Sequence, residues 1–114
     1  MSSQLTFAQL QSRLAAQPAP ILVDALGERY FVADHIPGAI NVPHTIADDV
    51  LRARLPDTRA QIVTYCANPA CQNSHLLAHR LQVLGYTNVS VFPGGKKEWA
   101  EAGMPLESAA ATAV

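Results

Sequence analysis

Short apolar runs alternate along this chain with segments in which apolar residues recur every three or four positions. The run at residues 20–24 is continuously apolar, which is typical of a strand buried on both faces, and further short strands are predicted at residues 40–42, 62–65 and 88–92. Helical spacing predicts four helices, at residues 6–16, 45–55, 74–84 and 96–102. Because strands and helices alternate with short connections, the pattern predicts an α/β domain with a central, mostly parallel sheet and helices on both faces.

Capping signals place the helix ends more closely. Thr6 followed by Gln9 fits a capping box at the start of the first helix, which we expect to end near residue 16, before two prolines. Thr45 is the expected cap of the second helix, and residues 27–31 form a turn or short helix. Gly85 is expected to end the third helix in the left-handed conformation.

Length and charge narrow the class of protein. The 114 residues predict one domain over residues 1–106, and the small-residue segment 107–114 predicts a disordered tail. A net charge of −1 argues against nucleic acid and acidic membranes as partners. The N-terminus lacks the basic and apolar segments of a signal peptide, so we expect a cytoplasmic protein in a reducing compartment.

Cys66 is the candidate for chemistry. It follows the apolar run at residues 62–65 and stands before a short loop and the third predicted helix. Backbone N–H groups and the positive end of a helix dipole meet at such a position and favour the thiolate, which makes Cys66 a candidate nucleophile. The alternative is that Cys66 is a small buried apolar residue, which is common for free cysteine.

The second cysteine, Cys71, lies five positions later and would close too little chain to be a useful staple. It is either a resolving thiol for Cys66 or a spare loop residue. Side chains of an amide cradle point outward, which favours the spare residue. His75 and His79 do not complete a standard zinc spacing with the cysteines, so neither a metal nor another cofactor is predicted.

Several segments, in order, resemble the rhodanese-like (thiosulfate sulfurtransferase) family. They are the strand-ending Asp24, residues 34–43 (DHIPGAINVP), the pair Tyr65-Cys66, residues 84–89 and residues 94–105. The resemblance spans about residues 5–106 and implies a five-stranded rhodanese-like sheet. The family motif usually begins Gly-His-Ile-Pro-Gly-Ala, and here Asp34 replaces the first glycine.

Two further departures concern the active site that the resemblance implies. Leu26 stands where the family commonly has an arginine. Cys66 and Ser74 are eight positions apart, and the pattern Cys-x-x-Pro-x-Cys is similar to a subgroup with a longer loop. In this family, loop length and composition select between sulfur and larger oxyanions as substrates.

The resemblance implies a double displacement. The Cys66 thiolate takes the sulfane sulfur of a donor such as thiosulfate, and a thiophilic acceptor (cyanide or a thiol, including a protein thiol) removes it from the resulting persulfide. Asp24 and His35 are expected to act as scaffold, hydrogen-bonded beneath or beside the loop. The donor anion would bind to the loop residues Ala67, Asn68, Pro69, Ala70, Cys71, Gln72 and Asn73.

Three other functions stay open on the sequence. Cys66 and Cys71 could make a dithiol redox enzyme or sensor, or the fold could be a non-catalytic binding module. A cysteine phosphatase ranks last, because Gln72 stands where that class of enzyme places its arginine. Lys96 and Lys97 are either a source of positive potential at the rim of the site or a solvated helix end.

Overall fold

A computed structural model describes residues 3–109, which form a five-stranded parallel sheet with helices on both faces. The strands are β1 (Ser3–Gln4), β2 (Ile21–Asp24), β3 (Ile40–Asn41), β4 (Ile62–Tyr65) and β5 (Val89–Phe92). The helices are α1 (Phe7–Ala15), α2 (Glu28–Ala33), α3 (Asp48–Arg54), α4 (Asn73–Val83) and α5 (Gly95–Glu101). Within residues 3–109, no helix has the length and apolar content needed to span a membrane.

The sheet has the strand order β1-β5-β4-β2-β3, and every pair of neighbours is parallel. The predicted α/β class and five-stranded sheet are confirmed. Sequence patterns alone miss β1, which is short and polar. It is held at the sheet edge by Ser3, whose hydroxyl lies 2.7 Å from that of Ser90, and by the Leu5 N–H, which donates to Val91 O at 2.8 Å.

The sheet separates two apolar clusters, which explains the continuous apolar runs in its central strands. In β4, Ile62 packs with α3 and α4 on one face, whereas Val63 packs with α1 and α5 on the other. Both side chains are buried. A polar residue at either position would therefore lose hydration without gaining a partner, and alternation is absent from this strand.

The cap predictions are confirmed at one helix and wrong at another. The Gln9 N–H donates to Thr6 Oγ1 at 3.1 Å and the Thr6 N–H to Gln9 Oε1 at 2.9 Å, which completes the capping box. Thr45 does not cap α3. The Ile46 N–H donates to Pro43 O at 3.0 Å, so residues 43–46 form a turn and the helix begins after Ala47.

The first three residues of the predicted tail, residues 107–109, make tertiary contacts. Glu107 and His35 exchange two backbone hydrogen bonds of 2.9 Å, and Ser108 Oγ donates to Val32 O at 3.0 Å. The Ala109 N–H also donates to Val32 O, at 3.1 Å. Residues 107–109 therefore pack on α2 and the turn after it. The rest of the predicted tail, residues 110–114, lies outside the described residues.

Candidate functional site

The candidate site lies at the carboxyl ends of β2 and β4, which are neighbours in the sheet. Asp24, the last residue of β2, is in register with Tyr65, the last residue of β4, and the Ala25 N–H donates to Tyr65 O at 2.9 Å. Cys66 follows directly and is buried, with 1% of its surface exposed. The sequence prediction that Asp24 and Cys66 share this edge is confirmed, because parallel strands bring their carboxyl ends together.

Cys66 and Cys71 form a disulfide across the loop. Their Cα atoms are 6.3 Å apart, within the usual range for a disulfide. The expectation that Cys71 points away from Cys66 is wrong, and the reason is a turn at Asn68. Asn68 Oδ1 accepts the Ala70 N–H at 3.0 Å, and Asn68 O accepts the Cys71 N–H at 3.1 Å, so the chain folds back toward Cys66.

The sulfur of Cys66 lies beside the start of α4. Cys66 Sγ is 3.4 Å from Ser74 Oγ and 3.3 Å from the carbonyl oxygen of Cys71. Ser74 is buried in the first turn of α4, and its own carbonyl accepts the Thr64 hydroxyl at 2.9 Å. No sequence pattern assigns a role to Ser74. Its place at the start of the predicted helix could have indicated one, because a hydroxyl in the first turn of a helix lies near the residues that precede the helix.

Helix α5 fixes the first part of the loop from the other side. The Lys96 N–H donates to Cys66 O and the Lys97 N–H to Ala67 O, both at 2.9 Å. Gly95, just before them, has φ +62°. A Cβ at residue 95 would lie 2.3 Å from Cys66 O, so the close approach of the two segments requires glycine there.

The two lysines of α5 have different roles. Lys96 Nζ lies 2.8 Å from Asp34 Oδ1 and donates to Asp34 O at 3.1 Å, and only 13% of its side chain is exposed. Lys96 is thus ion-paired and mostly buried, so it is neither the solvated helix end nor the free source of positive potential that the sequence left open. Lys97 is exposed and lines a surface cleft of about 490 Å³ that Pro69 of the loop also borders. Glu98 and Glu101 line the same cleft.

The Asp24 carboxyl is buried beneath the site. Its Oδ1 accepts the Leu26 N–H at 2.9 Å, whereas Oδ2 has no hydrogen bond of normal geometry. Burial raises the pKa of Asp24 above its usual value, and the bond from Leu26 and the nearby Tyr65 hydroxyl offset this only in part. Burial and the Asp24 charge also raise the pKa of Tyr65, whose hydroxyl accepts the Ile36 N–H at 3.0 Å.

His35 is buried within the turn that follows α2. Its ring stacks on Phe31 with centroids 3.9 Å apart, and Nδ1–H donates to Phe31 O at 2.8 Å. Its Nε2 lies 3.2 Å from Glu107 Oε1, which also accepts the Gly38 N–H at 3.2 Å. The hydrogen bonds of His35 therefore join α2 to the C-terminal segment, and sequence reasoning missed Glu107 because it was assigned to the tail.

Replacing Asp24 with asparagine is expected to make stability less dependent on pH. With its raised pKa, Asp24 keeps its proton in the folded state above about pH 4, where the unfolded chain loses it. The stability due to the protonated form is therefore present below pH 4 and is lost as the pH rises through the folded pKa. Relative to wild type, the free energy of unfolding of Asp24→Asn should rise by roughly 1 kcal/mol or more between pH 4 and pH 7.

Urea unfolding at several pH values measures this change. Asp49→Asn is the matched control, because Asp49 is an exposed carboxyl in the first turn of α3. The account is contradicted if Asp24→Asn and Asp49→Asn differ from wild type by the same amount at every pH.

Metal chemistry has no visible site in residues 3–109. No group of three or more His, Cys, Asp or Glu side chains there is arranged to hold a metal ion. His75, partly buried, and His79, exposed, lie one turn apart on α4.

Comparison with known proteins gives one family. The family model described as the rhodanese-like domain matches residues 6–102. No curated protein sequence gives a significant match. Among solved structures, the BH2092 protein of Bacillus halodurans is 26% identical with a TM-score of 0.84, over 96% of this chain and 79% of that one.

Two other solved structures carry functional descriptions. A thiosulfate sulfurtransferase from Pseudomonas aeruginosa is 28% identical with a TM-score of 0.80. The alignment covers 93% of this chain but 20% of that one. A rhodanese with anions from E. coli is 27% identical with a TM-score of 0.64, over 79% of this chain and 99% of that one.

Proposed function

The chain belongs to the rhodanese-like domain family, and on that premise we propose that it is a sulfurtransferase in which Cys66 carries the sulfur. The observation that carries this proposal is the position of Cys66, at the carboxyl end of β4 and 3.4 Å from the Ser74 hydroxyl at the start of α4. The hydroxyl and the helix N-terminus both stabilise negative charge on sulfur. A thiolate held in this way is a suitable nucleophile for a sulfane sulfur once the loop opens and lets the donor reach it.

The proposed reaction has two displacements. The Cys66 thiolate attacks the outer sulfur of thiosulfate, the bond between its two sulfurs breaks, and sulfite leaves with the electron pair. Cys66 then carries a persulfide. Cyanide or a thiol, free or on a partner protein, attacks the outer sulfur and restores the Cys66 thiolate.

Donor binding needs the disulfide to be open. In the closed loop, the Cys71 carbonyl oxygen lies 3.3 Å from Cys66 Sγ, where it would repel a thiolate. Once the bond is reduced, N–H groups of the loop can turn toward the sulfur, as the family resemblance implies. Lys97 is the exposed cation on the cleft beside Pro69 and would attract the donor anion locally, against the negative charges of Glu98 and Glu101 in the same cleft. A reducing cytoplasm, the compartment expected from the sequence, would keep the loop open.

Sulfite release is expected to depend on prior reduction of the protein. Protein treated with dithiothreitol, then freed of it under anaerobic conditions, should release about one equivalent of sulfite from thiosulfate. The disulfide form should release less than about a tenth of that, because Cys66 Sγ is bonded to Cys71 and is not a thiolate that could attack the donor. Cys71→Ser should release sulfite whether or not it has been treated. Equal release by the reduced and disulfide forms would contradict the proposed role of Cys66.

The disulfide itself favours a second candidate, a dithiol redox enzyme or sensor. In that case oxidised glutathione would form the Cys66–Cys71 bond rapidly, and thiosulfate would yield no sulfite with the reduced protein. Sulfite release therefore separates the two functions, since only sulfur transfer produces it.

A further inference from the structure

We propose that Cys71 is a second catalytic residue, which attacks the Cys66 persulfide and releases its outer sulfur as sulfide. The inference rests on the proposed function, because it needs a persulfide on Cys66. It adds a second activity to sulfur transfer, the reduction of a sulfane sulfur to sulfide. An external dithiol reductant supplies the two electrons when it reopens the disulfide. A disulfide between Cys66 and Cys71, the pairing that the structure has, would be the protein product of this step.

The loop is built to bring Cys71 to Cys66. The Asn68 turn has two hydrogen bonds, to the N–H groups of Ala70 and Cys71, and Pro69 stiffens the backbone within it. Backbone bonds from α5 hold the other end of the loop at Cys66 and Ala67. The two cysteines thus approach each other by local geometry, with their Cα atoms 6.3 Å apart.

The step balances without any external oxidant. The Cys71 thiolate attacks the inner sulfur of the persulfide, which is Cys66 Sγ, and a bond forms between the two cysteine sulfurs. The bond to the outer sulfur breaks, and that sulfur leaves with the electron pair as hydrosulfide. In sum, thiosulfate and two protein thiols give sulfite, hydrogen sulfide and one disulfide.

Exposure indicates how the disulfide is reopened. Cys66 is 1% exposed, whereas Cys71 is partly exposed at the loop surface. A dithiol reductant can therefore reach the sulfur of Cys71, form a mixed disulfide there and expel the Cys66 thiolate beside Ser74. The second thiol of the reductant then attacks its own sulfur in the mixed disulfide, which frees Cys71. The two electrons come from the dithiol.

The same geometry determines whether Cys71 or a free acceptor reacts with the Cys66 persulfide. Cys71 is tethered in the same loop, so its effective concentration near Cys66 exceeds that of a free thiol at millimolar levels. A free acceptor therefore competes poorly, and sulfide is the main product when both thiols are reduced. Without Cys71, the persulfide should persist until an external acceptor removes it.

A single-turnover experiment tests the proposal. Wild type, Cys71→Ser, Cys71→Ala and Cys66→Ser are reduced, freed of reductant under anaerobic conditions and mixed with one equivalent of thiosulfate. Sulfite, sulfide and intact protein mass are measured. Wild type should release about one equivalent each of sulfite and sulfide and become two hydrogen atoms lighter. Both Cys71 variants should still release sulfite, release less than about a tenth of the wild-type sulfide, and become one sulfur atom heavier.

The outcomes separate this inference from the proposed function. Sulfite release with a wild-type protein that stays one sulfur atom heavier and yields no sulfide overturns the role of Cys71 and leaves the transferase intact. Absence of sulfite from wild type and both Cys71 variants overturns the persulfide itself, and the role of Cys71 with it. Sulfite release by the Cys71 variants also shows that their sites are folded, so their lack of sulfide cannot come from misfolding.

Discussion

Replacing Cys66 with serine is expected to slow thiocyanate formation from thiosulfate and cyanide by about a thousandfold or more. A serine oxygen cannot form the sulfur–sulfur bond on which the double displacement depends. The substitution keeps the size of a side chain that is almost fully buried, so the fold should survive. Steady-state thiocyanate formation measures the rate, and thermal unfolding checks that the domain is intact.

Cys71→Ser is the matched control for this experiment. It makes the same atomic change in the same loop but leaves Cys66 as a free thiol next to Ser74. Its thiocyanate rate should exceed that of Cys66→Ser by about a thousandfold or more, and should not fall below that of wild type, because no Cys71 thiol competes with cyanide for the persulfide. If the two variants lost activity equally, the reaction would require both thiols and the simple persulfide transfer would be wrong.

Replacing Gly95 with alanine is expected to damage both stability and sulfite release. The new Cβ would lie 2.3 Å from Cys66 O and 3.0 Å from Asn68 N, and φ +62° is strained for any residue but glycine. Because both contacts are to backbone, the loop must move and the hydrogen bonds from α5 must lengthen. We expect the free energy of unfolding to fall by roughly 2 kcal/mol or more, and the rate of sulfite release by about a hundredfold.

Gly103→Ala separates strain from displacement of the loop. Gly103 has φ +83°, yet a Cβ there meets nothing within 4 Å. Its substitution should cost roughly 1 kcal/mol of stability and leave the rate of sulfite release within about twofold of wild type. Urea unfolding and single-turnover sulfite release, measured on both variants, distinguish backbone strain from displacement of the loop. Equal losses of rate would show that the contact of Gly95 with the loop has no role in catalysis.

The parts of the fold predicted correctly are those that local sequence determines. The strand ends at Asp24 and Cys66 were placed correctly because continuous apolar runs stop there. The capping box at Thr6 was also predicted, since its two partners lie three residues apart. Periodicity, caps and strand ends are short-range properties, and they were sufficient to bring Asp24 and Cys66 to one edge of the sheet.

The features that were missed depend on contacts between distant parts of the chain. Strand β1 exists because Ser3 pairs with Ser90, and residues 107–109 are ordered because Glu107 bonds to His35. Neither segment has an apolar pattern of its own. The position of Cys71 was missed for a different reason, because the turn at Asn68 depends on a side chain–backbone bond that no periodicity predicts.

The contacts of Asp34 explain one departure from the family motif. Asp34, which replaces the first glycine of the motif, is the ion-pair partner of Lys96 at 2.8 Å. The same lysine donates its backbone N–H to Cys66 O, so Asp34 helps to anchor the helix that holds the loop. The ion pair therefore positions the loop rather than contributing free positive charge to the site.

The proposed role of Cys66 as the sulfur carrier is tested most directly by tracing where its sulfur comes from. Reduced Cys71→Ser, which retains the persulfide, is treated under anaerobic conditions with thiosulfate carrying a heavy sulfur isotope only at its outer atom. The account predicts that the intact protein gains the mass of one heavy sulfur, that fragmentation places it on Cys66, and that Cys66→Ser gains nothing. An adduct without the heavy isotope, an adduct on another residue, or no adduct at all would contradict it.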